Sequence, residues 1–178
     1  MVKKTAAIAG MTVLLLFMAA CGGRTENGHS PAAEPVPVQS EQSATLVSLP
    51  KVTDPYTREQ ASANGDVVNV DGKYTNLEKW RQFMEHVKAK SPEPESVRIT
   101  LYTIEGDPIF YELVYDGKEI RYTFDNSMDA FGSDQGRPTT TCTGFDTKTV
   151  EQAGTFVVLT GCSNGNTGDT FFFDADAK

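Results

Sequence analysis

Histidine is almost absent from this chain: His29 and His86 are the only two in 178 residues. Cysteine is nearly as scarce, at three, and no CxxC pair occurs. Nucleophilic serine chemistry needs a placed base, and neither histidine is set for that role. A zinc site needs convergent nitrogen and sulfur ligands, which two isolated thiols do not supply. A Gly-rich phosphate loop is missing as well. Cationic charge is short too, 16 Lys and Arg against 24 Asp and Glu, a formal −8. Anionic lipid heads and nucleic acid are repelled by such a surface, which argues against both as direct ligands. It permits a cation or a basic protein partner, although an excess of this kind often serves only solubility.

The apolar run from Ala6 to Ala20 is shorter than the roughly 20 residues of a spanning helix. Lys3 and Lys4 precede it, and the small residues Ala19 and Ala20 lead into Cys21. A basic start, a short apolar centre and small residues at the cut are the marks of an export signal. With a cysteine next, the segment reads as a bacterial lipoprotein signal peptide, cut before Cys21, with lipidation (palmitate-type acyl chains) at that residue. The competing readings are an ordinary secretory signal and a retained anchor. Two acyl chains, at about 0.8 kcal/mol per buried methylene, hold a protein durably. Loss of Lys3 and Lys4 takes the net charge from −8 to −10. The expected location is extracytoplasmic, lipid-anchored at the cell membrane.

Export gives the other two cysteines a meaning. Cys142 and Cys162 form an even pair in an oxidising compartment, which reads as one structural disulfide. The chain-entropy estimate for such a bridge is about 3 kcal/mol.

Composition divides the chain into residues 1–20, the signal; 21–63, a lipidated N-terminus and disordered tether; and 64–178, a single domain. The tether is rich in Pro, Glu, Ser and Gln and poor in large apolar residues, so little burial offsets its ordering entropy. About 40 residues of this kind reach roughly 35 Å. In the domain, Val67 to Val70 reads as a strand closed by Asp71-Gly72. Leu77, Trp80, Met84 and Val87, with Phe83 alongside, recur at helical period, predicting one helix from about Asn76 to Lys90. Thr75 and Glu78 have capping-box spacing, His86 falls on the opposite, solvated face, and Ser91-Pro92 stops the helix. After Pro94 the pattern alternates: Val97, Ile99 and Leu101 against Arg98, Thr100 and Tyr102, then Ile120, Tyr122 and Phe124 against Glu119, Arg121 and Thr123. That is antiparallel sheet with one wet face. Asp116-Gly117 marks a hairpin, and further strands are expected at Thr139–Phe145, Thr155–Cys162 and Thr170–Asp174. The predicted fold is α+β, a mainly antiparallel sheet packed against one amphipathic helix with one disulfide. A hairpin centred near residue 151 or 152 would set Cys142 opposite Cys162.

Residues 125–136 form the longest polar irregular stretch, and Asp125, Asn126, Ser127, Asp129 and Asp134 are its candidate ligand or partner residues. Asp125, Ser127 and Asp129 have the alternate spacing of a calcium loop, but Ala130 stands where glycine is needed and Gly136 where a bidentate Glu is needed. Neither a metal nor any other cofactor is assigned, and no catalytic set is. Glu105, Asp107, Glu112 and Glu119 are the carboxylates on which acid–base work would have to rest. Phe171-Phe172-Phe173 reads as core with its middle ring on the other face, or as an exposed strand edge.

Asn64-Gly65-Asp66-Val67-Val68, the stretch Tyr102 to Ile109 with its Glu-Gly-Asp-Pro, the Tyr115-Asp116-Gly117-Lys118 turn, Tyr122-Thr123-Phe124-Asp125-Asn126-Ser127 and the two cysteines resemble the domain-of-unknown-function 4362 family of Gram-positive bacterial lipoproteins. The resemblance covers about Asn64 to Phe173. It implies an exported, membrane-tethered single domain, and supplies no catalytic residue. Two functions follow as expectations. One is a binding or interaction module of the cell envelope, recognising a protein, wall polymer or cation through residues 125–137 or a strand edge. The other is a carboxylate-dependent hydrolase acting on envelope material.

Overall fold

In a computed structural model, residues 47–178 are described. The expected signal, Cys21 and most of the tether lie outside them. Nine strands and three helices follow in the order β1 (Val67–Val70), β2 (Lys73–Thr75), α2 (Leu77–Lys88), β3 (Glu95–Tyr102), β4 (Pro108–Tyr115), β5 (Ile120–Asp125), β6 (Thr139–Cys142), β7 (Gly144–Val150), β8 (Gly154–Thr160), α3 (Gly165–Gly168) and β9 (Phe173–Asp174), with α1 (Arg58–Ala63) ahead of β1. Six strands make one sheet in the order β2-β1-β3-β4-β5-β6, and three make a second, β7-β8-β9. The class is α+β. The expectation of one helix is corrected, since α1 and α3 accompany α2.

Alternation along β3 decides what the sheet does. Val97 and Ile99 point to one face, Arg98, Thr100 and Tyr102 to the other, and all five are buried. The inner face carries the main core. Leu77, Trp80 and Phe83 of α2 lie against Val67, Ile99, Leu113 and Tyr122 there, joined by Val157 and Leu159 of the second sheet and by Phe171 and Phe173. Trp80 is the hub, with its ring centroid 4.6 Å from that of Phe173 and 5.5 Å from that of Phe145. Phe171 and Phe173 are core while Phe172 is exposed.

On the outer face the single wet surface of the sequence reading is corrected. Tyr56, Ala61, Val68, Tyr102 and Phe110 form a second buried cluster, with Val52 packed against it. The folded part therefore begins before Asn64. Residues 50–63 cross the β1–β3 half of the sheet, so the tether does not extend unpacked to residue 63. Among these residues sits the capping box: in α1, Gln60 N donates to Thr57 Oγ1 and Thr57 N to Gln60 Oε1. The box expected at Thr75 and Glu78 is absent. Asn76 is the N-cap, at φ 56, and its Nδ2 donates instead to the carbonyls of Ser62 and Asp66, both at 2.9 Å. That amide ties the end of α1 and the start of β1 to the start of α2.

Two pairings depart from the simple meander. β1 runs parallel to β3, with α2 as the crossover, and β2 adds an edge strand through the Asp71-Gly72 turn. The expected strand over Thr139–Phe145 is divided at Thr143, β6 joining the large sheet and β7 the small one. His86 is half-buried rather than free, its Nε2 2.6 Å from the Glu93 carbonyl and its ring edge-on to Tyr115.

Cys142 and Cys162 are bonded. The β7–β8 hairpin has the expected register, Gly144 opposite Thr160, and the cysteines lie two positions beyond that pair, where they join the two sheets. Reducing the bridge should lower stability by about 2–4 kcal/mol. Urea melts of the oxidised and reduced chain measure this, and superimposable midpoints would contradict it.

The core tyrosines give an alkaline signature. Burial pushes the phenols of Tyr102 and Tyr111 up to about 12, and raises Tyr122 further. A pKa raised on folding contributes stability that is whole below the ordinary phenol value of 10.0 and fades as pH climbs toward 12. Melting temperature should therefore hold until about pH 10 and fall above it, with the phenols of Tyr102, Tyr111 and Tyr122 ionising only as the fold opens. Ionisation of those three phenols near pH 10 in a folded chain would refute this.

Candidate functional site

Antiparallel register builds the site row by row across the outer face. Arg98 stands opposite Glu112, Glu112 opposite Thr123, and Thr123 opposite Thr139. The next row holds Ser96, Val114, Arg121 and Thr141. Residues 50–63 seal the β1–β3 end of these rows and leave the β4–β6 end uncovered. A groove of about 610 Å³ results, with Val47 to Val52 as one wall and Glu112, Arg121, Thr123, Asp125, Arg137 and Thr139 among the residues opposite. Its size is ordinary for a small-ligand site.

A buried ion cluster holds the closed end. Asp66 is 1% exposed, and its Oδ2 accepts from Tyr56 Oη at 2.8 Å, Arg98 Nε at 2.9 Å and Thr100 Oγ1 at 2.8 Å. Arg98, 2% exposed, also donates Nη2 to Tyr56 Oη at 2.9 Å and Nη1 to the Pro50 carbonyl at 2.8 Å. Its guanidinium lies over the Tyr56 and Phe110 rings. Burial pulls the Arg98 pKa down, but the hydrogen bond and charge of Asp66 outweigh it and leave the value above the ordinary one. Burial likewise raises Tyr56, with Asp66 adding to the rise and the Asn64 amide opposing it. Among the described residues no buried side-chain nitrogen or oxygen lacks a partner. A set so fully satisfied is built to hold shape.

Charge then alternates outward. Glu112 Oε1 is 3.5 Å from Arg98 Nη1, and its Oε2 accepts from Arg137 Nη2. Arg137 Nε is 2.9 Å from Asp125 Oδ2. Arg121 and Lys51 are exposed, and neither makes an ion pair or side-chain hydrogen bond with the described residues.

The sequence-derived candidates divide here. Asp125 reaches the groove. Its other oxygen, Oδ1, accepts from Ser127 N and Oγ, closing a turn. Asn126 is buried and braces the loop, donating its backbone N–H to the Gly136 carbonyl and accepting from Gly136 N through Oδ1. Asp129 Oδ1 accepts from Phe131 N, and Asp134 is exposed at φ 52. Asp125 Oδ1 and Asp129 Oδ1 serve the loop's own turns, and among the described residues no group of three His, Cys, Asp or Glu is placed to hold a metal ion. The four carboxylates of a hydrolase do not converge. Glu105 and Asp107 lie at one end of β4 and Glu119 beyond the other, about 25 Å apart at strand rise, with Glu112 held midway by two arginines. Sequence reasoning missed Arg98, Arg121 and the 47–52 wall, and did not single out Arg137 within the 125–137 stretch. Arg98 and Arg121 occupied positions read as solvated, and the wall lay within the assigned tether.

The sequence model of a family described as Domain of unknown function (DUF4362) matches residues 64–156. No curated protein and no solved structure matches the chain. The matched span includes Asp66, Arg98 and the groove residues of β4–β6 but not the wall at 47–52.

Arg98→Met should cost about 3–5 kcal/mol, because Asp66 would remain buried and charged without its partner. Adding Asp66→Asn to it should cost less than the two single changes together. Urea melts of the three variants provide the comparison, and additive costs would show that the residues do not act as a pair.

Proposed function

We propose that this chain, which belongs to the domain-of-unknown-function 4362 family, is a lipid-anchored extracytoplasmic binding module that takes an envelope component in the groove over β4–β6. The groove itself is the observation that supports this: a lined concavity in which Arg98, Glu112, Arg137 and Asp125 are linked in a chain of ion pairs. Rigid walls reduce the ordering cost of binding, which suits recognition. The signal-like segment before Cys21 supports the anchored location, and the bonded Cys142–Cys162 pair suits an oxidising compartment. A hydrolase is the weaker reading because Glu112 and Asp125, the carboxylates nearest the groove, are both held by Arg137.

Two measurements test the proposal. Mass spectrometry of the membrane fraction should find an N-terminal peptide beginning at acylated Cys21. NMR of the isotopically labelled full chain, titrated with solubilised wall fragments, should shift resonances of Arg121, Thr123 and Thr139. Shifts confined to other surfaces, or a processed chain without acyl groups, would overturn the respective half.

A further inference from the structure

Resting on the groove reading, we propose that the ligand presents an oxyanion, a phosphate or carboxylate group, to Arg121 and Lys51. Across the whole chain acids outnumber bases, 24 to 16. Around the groove the order reverses, with Lys51, Arg98, Arg121 and Arg137 against Glu112 and Asp125. Asp66, Glu112 and Asp125 are each paired with Arg98 or Arg137, so the carboxylates close to the groove are already engaged. Two cations remain without partners among the described residues, Arg121 on the sheet floor and Lys51 on the facing wall. Both line the same concavity.

Each contributes in a different way. A guanidinium offers parallel N–H donors that match two oxygens of a phosphate or carboxylate, whereas an ammonium supplies a compact point charge. One row from Arg121, the Thr123 and Thr139 hydroxyls bond each other at 3.0 Å. One of the two hydrogens is used in that bond, leaving the other to be donated to an oxyanion. Arg137 is 58% exposed along its side chain even while paired, so its outer edge remains accessible to the same ligand. An acidic surface surrounding a cationic groove also favours a ligand that carries its charge at a defined point over a diffuse polyanion. The volume of about 610 Å³ exceeds what a bare ion fills, so the oxyanion belongs to a larger ligand whose neutral part rests along Val114 and the 47–52 wall.

The test uses the full chain, NMR detection and four probes: inorganic phosphate, glycerol phosphate, acetate and uncharged glycerol. Phosphate, glycerol phosphate or acetate should shift resonances of residues 121–123 and 139–141, glycerol should not, and affinity should fall as salt rises. Arg121→Gln should weaken the binding about tenfold, and Lys51→Gln should weaken it less, with unchanged melting temperatures for both exposed positions. Comparison of phosphate with acetate identifies which oxyanion is preferred. Groove shifts by neutral wall fragments that Arg121→Gln leaves intact would overturn the oxyanion inference alone. Absence of groove shifts with wall fragments and with all four probes would overturn the groove reading with it.

Discussion

A guanidinium under a sheet is the constraint from which the outer half of this molecule follows. Arg98 cannot be left in an apolar layer with its five donors unmet, since an unpaired buried charge costs several kcal/mol. Asp66 takes one of those donors, Tyr56 a second, the Pro50 carbonyl a third, and Glu112 comes within 3.5 Å of the Nη1 that serves Pro50. Those partners come from three separate stretches of chain. Satisfying Arg98 therefore places the start of β1, the segment before α1 and the middle of β4 at once, and the groove begins where that set of partners ends.

The inner face was readable from sequence because its signal is redundant. Val97, Ile99, Ile120 and Tyr122 alternate, Leu77, Trp80 and Phe83 repeat at helical spacing, and each pattern demands the other as cover. The outer face was not readable, for a physical reason. A polar residue at every second position of a strand is equally consistent with water and with a buried hydrogen-bonded cluster. Arg98, Thr100 and Tyr102 fit both descriptions until Tyr56 is brought over them. Tyr56 and Ala61, in turn, stood in a polar, proline-containing stretch that resembled unfolded chain. The one local clue was the Thr57–Gln60 capping box, which announces a helix inside that stretch.

The candidate loop shows the same ambiguity at a smaller scale. Asp125, Asn126, Ser127 and Asp129 were recognisable as unusual, and each is engaged, but mostly with the loop's own backbone. Short polar side chains close turns with the atoms that could otherwise bind ligands. Only Asp125, at the end of β5, is carried by sheet register to the groove. The arginines that matter there sit in regular strands or beside one, where sequence offers no mark to distinguish them from surface charge.

The Cys142–Cys162 bond has one consequence beyond its effect on unfolding. It encloses β7 and β8 in a covalent ring, with the β7–β8 turn at Val150–Ala153 exposed at its far end. A protease that nicks this turn severs the backbone without separating the fragments. The C-terminal piece, carrying Phe171 and Phe173, remains fastened to β6 and keeps its place against Trp80.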